Sequence, residues 1–392
     1  MKKRVLFVFK HPYHWNPDVI NKFSNYYEVD SLHISDFKEE SFNQIISKIN
    51  KIIESKKIEI TIFDVDYFKF TNLFFIEKIK CNKKVLITGD DVENHEMNSI
   101  TASSCDIVLT HDPLSVLKFR EKGFETHQIH FDNGKIANNP MVKKEIDVLY
   151  FGILNTERKE FLDYIVKQNI SLKNVGHFTD KDRLSDGDLF DLIQKSKIVI
   201  NFSKTRSDFL RSHTSKNLYK FHYMFKGRIA LAGLYGAACV SEYSPGQEIL
   251  FSEEEIPYFY TKEECVEILK KLLSNDEILG NYTKKFVSKS KNLFEDKKNM
   301  KPIFDALEKK ENRKVKIYKI PYWYLRTSAK QITVRNMGIF NPSVILSNFK
   351  EVLKILEKGN TYEKLFILTE FLLNTVWYSL RSVFNKKNKL QS

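Results

Sequence analysis

The stretch KGRIALAGLYGAACVSEYSPGQEILF, Lys226 to Phe251, decides how the rest of the chain is read. Its apolar segment Ala237 to Val240 has the length and composition of a buried strand. Pro245 and Gly246 then mark a turn. A helix is expected beyond them, with Glu248 in its first turn. Such a helix start presents free backbone N–H groups that can hold a phosphate.

Outward from this stretch the same alternation recurs. Asp147–Phe151, Ile198–Phe202 and Ala237–Glu242 read as strands, and Thr156–Lys167, Leu184–Lys195 and Lys262–Ser274 as helices. Toward the N-terminus, Val5–Phe9, Ile58–Phe63, Lys84–Thr88, Asp106–Thr110 and Thr126–Phe131 are short and apolar on both faces, as buried parallel strands are. Phe42–Ile53, Asn72–Ile79 and Pro113–Lys122 lie between them with helical spacing. Strand alternating with helix gives βαβ units on parallel sheets, so the fold class is α/β. The reading divides the chain into 1–135, a polar linker 136–146, a second α/β half 147–308, and a helical, basic extension 309–392. Two such halves place a ligand between them, at the carboxyl ends of the strands.

The quoted stretch resembles the donor-binding half of a GT-B glycosyltransferase. It is close to the group-1, family 4-like transferases and closest to the CgeB-type spore-maturation and glycosyltransferase-like proteins. The carriers are Lys226-Gly227-Arg228, Ser241-Glu242-Tyr243 with Pro245-Gly246 and Glu248, and Thr261-Lys262-Glu263-Glu264. Asp147–Gly152, Arg158 and Leu184–Phe202 match upstream parts, so the likeness spans roughly 147–290. It implies a GT-B fold of two facing Rossmann-like domains, a nucleotide-sugar donor, and an acceptor that is a cell-surface glycan, glycolipid or glycoprotein. It implies no metal and no cofactor beyond the donor substrate. One departure stands out. The related proteins usually carry an E-x7-E pair, and the corresponding positions here are Tyr223 and Leu231. Either Glu242 or Glu248 takes over the ribose contact, or the donor differs, or the chain binds nucleotide and sugar without catalysis.

The chemistry accounts for the residue types. A departing nucleoside diphosphate needs its charge balanced, and Arg, Lys and helix N-termini do this without metal. Arg158, Lys226 and Arg228 are the candidate cations, with Gly152 and Gly246 allowing close backbone approach and Glu242, Ser244 and Glu248 completing the donor set. Arg206, Arg211 and Lys216 are weaker candidates. On the acceptor side His11, His14, Asp90, Asp91 and His95 lie just past expected strand ends. Asp90, Asp91, His95 and His11 form the catalytic set, one of which serves as general base if the anomeric centre inverts. His11-x-x-His14 has no evident third ligand and Asp64 ends a strand, so neither His11/His14 nor Asp64/Asp66 reads as a metal site.

Charge adds a separate signal. The 392 residues carry a net +13, but 1–308 holds 46 basic and 45 acidic side chains, whereas 309–392 holds 17 and 5. Such asymmetry points to an anionic partner surface. The extension also contains the aromatic run Ile320–Leu325 and a helix over Tyr362–Phe384 with a stripe of Leu365, Leu368, Leu372, Val376, Leu380 and Val383. It is expected to dock on an anionic membrane or to mediate oligomerisation, and to be removable after Ala329 without loss of activity. Nucleic acid is disfavoured because no recognition motif accompanies the basic residues. Met1–Arg4 and the apolar run to Phe9 are too short for a secretion signal, and no run is long enough to span a bilayer. Four scattered cysteines form neither a zinc cluster nor a disulfide pattern. The reading is a bacterial-type enzyme, cytoplasmic and peripheral on the inner face of the plasma membrane.

Overall fold

Val5, Phe7 and Phe9 bury into one apolar core while Leu6 and Val8 bury into another. The apolar run is therefore a strand covered on both faces. In the computed structural model, β1 (Arg4–Phe9) lies within a six-stranded sheet. Its order is β2 (Glu28–His33), β1, β3 (Ile60–Asp64), β4 (Lys83–Thr88), β5 (Ile107–Thr110) and β6 (Thr126–Gln128), and every pairing is parallel. The structure describes residues 2–12, 16–37, 40–64, 71–89, 91–130, 142–178, 183–205, 222–294, 296–309, 315, 320–335 and 342–389. Most of the expected linker, 136–141, lies outside them.

Helices α1 (Asn16–Ser24), α2 (Phe42–Lys56), α3 (Leu73–Glu77), α4 (Asp91–Ala102) and α5 (Pro113–Glu121) connect the strands. The α2 start is fixed by a capping box in which Ser41 and Gln44 exchange side-chain and backbone bonds.

The second sheet is also all parallel, in the order β11 (Tyr258–Phe259), β10 (Ala238–Glu242), β9 (Ser196–Asn201), β7 (Ile146–Tyr150), β8 (Leu172–Asn174). One face is covered by α6 (Thr156–Lys167) and α9 (Lys262–Leu273), the other by α7 (Asp186–Gln194), α8 (Gly227–Leu234) and much of α10 (Asp276–Phe294). The Thr261–Glu264 element is a capping box at the start of α9, so its residue types follow from helix initiation.

The chain then returns to the first sheet. α11 (Asp296–Glu308) places Met300, Ile303, Ala306 and Leu307 against Val5, Phe7 and Ile62. It falls within the 147–308 span read as the second half, yet its apolar face completes the first. Lys83, at the start of β4, donates through Nζ to the carbonyls of Leu307 (3.0 Å), Ala306 (3.3 Å) and Lys309 and so closes the C-terminus of α11. Its neighbour Lys84 points the other way and caps α3 at Ile76 O, 2.7 Å.

The extension is not a detachable appendage. α12 (Tyr322–Arg335), α13 (Pro342–Leu356) and α14 (Thr361–Lys389) bury Tyr324, Leu325, Ala329, Ile332, Val352, Ile355, Leu356, Ile367 and Phe371 in the core that also holds Leu6, Val8 and Phe75. Polar contacts fix the docking. Tyr324 Oη accepts the Leu73 amide at 2.8 Å and bonds Thr101 Oγ1 at 2.9 Å. Glu351, 2% exposed, pairs with Lys78 and accepts from Asn43 (2.8 Å) and Lys354 (3.1 Å). Burial pushes that carboxyl up, but Lys78, Asn43 and Lys354 together hold it below its ordinary value.

Candidate functional site

In the second sheet the chain direction across the sheet reverses between β7 and β9, the place where open α/β sheets bind ligands. Arg228 occupies this point from the first turn of α8. Its Nε donates to Asn201 Oδ1 (3.0 Å), Nη1 to Phe151 O (3.3 Å) and Nη2 to Phe202 O (2.8 Å), and its guanidinium lies 5.6 Å from the Tyr150 ring centroid. Burial pushes its pKa down to about 10, so it stays cationic at neutral pH. Gly152 makes room for it. A Cβ there would sit 2.3 Å from Arg228 Nη1, and φ is +106°.

Arg158, also buried, joins the neighbouring loop ends: Nη1 donates to Ile153 O and Nη2 to Lys204 O, both 2.7 Å. Glu242 at the end of β10 accepts the Ser203 and Lys204 amides through Oε2, both at 2.9 Å. Burial raises its pKa, opposed by those two amides and by Arg158 and Lys204. Lys204 Nζ reaches Glu157 at 2.7 Å. These groups surround a cavity of about 30 Å³ lined by Asn155, Arg158, Phe202, Lys204 and Glu242. The structure thus brings together Gly152, Arg158, Arg228 and Glu242, with Lys226 beside them at the N-cap of α8. Asn201 and Lys204 were missed by sequence reasoning. Their signal is position alone, at and just beyond the carboxyl end of β9. Arg206, Arg211 and Lys216 lie outside the described residues.

Residues 158–287 match the sequence profile of a family described as glycosyl transferase-like. Among solved structures, the chain is similar to sucrose-phosphate synthase from Thermosynechococcus elongatus, with TM-score 0.53 and 9% identity over 78% of this chain and 99% of that one. It is similar to Anabaena HepE in complex with UDP and glucose, with TM-score 0.52 and 11% identity over 78% and 99%. A Listeria monocytogenes protein named as a UDP-N-acetylglucosamine 2-epimerase gives TM-score 0.51 and 12% identity over 81% and 100%. The fold is GT-B. No curated protein sequence matches the chain.

Within the GT-B frame, the remaining donor-side candidates lie elsewhere. The helix expected after Gly246 is only a 3₁₀ turn, Gln247–Ile249, and offers no helix start for a phosphate. Gly246, at φ +88°, packs on the other half. A Cβ there would meet Leu114 Cβ at 2.8 Å and its backbone N at 2.9 Å. Ser244 is buried and donates to Gln247 Oε1 at 3.1 Å, while Glu248 is exposed with Tyr243 Oη 3.4 Å away. The halves also meet where Asp112, the N-cap of α5, accepts the Phe225 amide at 3.2 Å, one residue before Lys226. Of the two E-x7-E positions, Leu231 is half-buried against the α8 core and Tyr223 bridges Lys204.

The first half corrects part of the expected catalytic set. Asp91 is fully buried. Its Oδ1 accepts from Asn98 at 2.7 Å, and its Oδ2 from Thr88 and Thr110, so it ties β4, β5 and α4 together and leaves no surface exposed. His95 packs against Phe119 with ring centroids 4.6 Å apart and tilted by 54°, between α4 and α5, and burial with nearby Lys122 and Lys118 pushes its pKa down to about 4. His11 does follow the carboxyl end of β1, where its carbonyl accepts from Asn16 at 2.9 Å. Asp90, His14 and Asp66 lie outside the described residues. Among the described residues no group of three or more His, Cys, Asp or Glu side chains could hold a metal ion.

Asp91 supplies a prediction. Burial raises its pKa from 3.8 to about 6, although Thr110, Thr88 and Asn98 counteract the shift. Between those values the folded chain keeps a proton that the unfolded chain has released, so this group removes stability as pH rises from about 4 to 6. Asp91→Asn should gain on the native chain by on the order of 2–3 kcal/mol across that interval. Urea denaturation at pH 4 and pH 7 checks it, and a difference that does not change with pH counts against the shift.

Proposed function

We propose that this chain is a glycosyltransferase that moves a sugar from a nucleotide-sugar donor to a cell-surface glycan, glycolipid or glycoprotein acceptor. The donor diphosphate would lie over the carboxyl ends of β7 and β9, and the acceptor would approach from the first sheet near His11. The observation that carries the reading is the cationic network of Arg158, Lys204 and Arg228 at the reversal point, inside the segment that matches the glycosyl transferase-like family. Arg228 acts as a positioning residue, since its donors go to protein atoms. Lys204 is the more accessible cation, with its side chain 20% exposed. UDP bound in HepE supports a nucleotide ligand, and the 226–264 motifs support the closer likeness to CgeB-type proteins. Work at an anionic membrane, where lipid-linked acceptors are found, fits the charge of 309–392.

Thermal-shift screening of nucleotides and nucleotide sugars tests the reading. One donor should raise Tm by a few degrees at about 100 times its Kd. Lys204→Ala should weaken that ligand by about tenfold or more by calorimetry. Unchanged affinity would remove Lys204 from the site. A non-catalytic reading is favoured by the apolar Leu231 at an E-x7-E position. A chain that binds the donor but releases no nucleoside diphosphate with any acceptor would bear that second reading out.

A further inference from the structure

Among the described residues, α14 has two apolar faces and only one is covered. Ile367 and Phe371, with Leu368 beside them, bury into the first half's core, and a bidentate pair between Arg326 and Glu370 (2.7 and 3.0 Å) sets the helix rotation. On the opposite side Tyr362, Leu365, Phe366, Leu372, Leu373, Val376 and Trp377 are all more than half exposed, from 54% to 87%. At about 100° per residue they share an arc of roughly 140°, and the patch runs ~22 Å along the helix. The polar group within that arc, Thr369, turns its hydroxyl back to Leu365 O at 2.9 Å. Contiguous exposure on this scale marks an interaction surface.

We propose that this face of α14 seats the protein on a bilayer containing anionic lipids, lying in the plane of the surface. The inference deepens the membrane part of the proposed function and rests on it, assigning the contact to one helix face. Charge identifies the occupant. Residues 309–392 carry 17 Lys and Arg against 5 Asp and Glu, and two of those acids, Glu351 and Glu370, are already paired with Lys78, Lys354 and Arg326. The remaining excess attracts anionic headgroups and would repel the same face of a second copy. Tyr362 and Trp377 stand at either end of the patch, the side chains suited to the headgroup boundary. Among the described residues no helix is long and apolar enough to cross a membrane, so the face rests on a bilayer.

The test uses the full chain and flotation with vesicles of phosphatidylcholine alone or with phosphatidylglycerol. The native chain should partition onto the phosphatidylglycerol vesicles with a blue shift of Trp377 fluorescence that Trp377→Phe removes. Leu365→Ser, Leu373→Ser, Val376→Ser and Trp377→Ser combined, which spare Phe366 because it packs on Tyr322 and Arg326, should weaken partitioning by about a hundredfold or more with at most a small fall in Tm, because these four side chains face solvent. If the combined variant partitions like the native chain, the α14 face is not the seat, although the membrane reading survives. If the native chain binds neither vesicle and instead forms a dimer that the variant abolishes, the face joins two copies and the membrane reading fails with it.

Discussion

Truncation after Ala329 is expected to give no folded protein. The cut removes Ile332, Val352, Ile355, Leu356, Ile367 and Phe371, each at most 4% exposed, from the core shared with Leu6, Val8 and Phe75. Deleting one large buried aliphatic side chain to Ala costs about 2–5 kcal/mol, and a domain's whole stability is about 5–15 kcal/mol. Losing six exceeds that margin even with generous relaxation. The cut also removes Glu351 from Lys78 and Asn43, and Asn348 from the Phe42 amide. Soluble yield and circular dichroism of the truncated chain check the prediction. A soluble truncated chain melting like the full-length one would mean that the three helices are dispensable.

The second large effect is expected from Gly152→Ala. The new methyl would sit 2.3 Å from Arg228 Nη1, too close for both to stay, and φ +106° is itself strained for any residue with a side chain. Nη1 would have to move away, losing its bond to Phe151 O and straining the bonds that the same planar guanidinium makes to Phe202 and Asn201, so a buried cation loses part of its pairing. Breaking such a site costs about 3–5 kcal/mol. Denaturation should register that loss, and nucleotide binding should disappear with it because the ends of β7 and β9 lose their common anchor. A variant with native stability and native nucleotide affinity would show that the guanidinium can leave its site at little cost.

Much of the fold is legible in the sequence because the central strands are covered on both faces. β1, β3, β4 and β5 read as short apolar runs for that reason. β2 does not, since Glu28–His33 is a half-exposed edge strand in which only Val29 and Leu32 are apolar. α4 is hidden because Asn94, Asn98, Ser99 and Thr101 are buried polar side chains, which blur helical periodicity. In α14 the expected stripe mixes both sides: Leu368 faces the core, while Leu365, Leu372 and Val376 face out. A helix apolar nearly all round gives periodicity nothing to choose between.

The candidate site is legible to a similar degree. Gly152, Arg158, Arg228 and Glu242 converge, whereas Ser244 and Gly246 lead into the 3₁₀ turn Gln247–Ile249, where Gly246 packs against Leu114 of α5. A motif fixes which residues are neighbours in sequence. It does not say whether a left-handed glycine is making room for a ligand or for Leu114. Asp91 passed for a base because it follows a strand end, and only its three donors reveal it as a structural clamp.

The return of α11 to the first sheet bears on biosynthesis. The first half is discontinuous: α1 and α2 cover part of the two faces of β1, but the cover is complete only when residues some 300 positions later have left the ribosome. The second half, 142–294, holds its strands and most of its helices in one uninterrupted run. Because domains fold as units once their residues are available, the half synthesised later can finish first. The N-terminal strands then wait as exposed apolar edges until the C-terminal helices arrive, and in that interval the nascent chain depends most on chaperones.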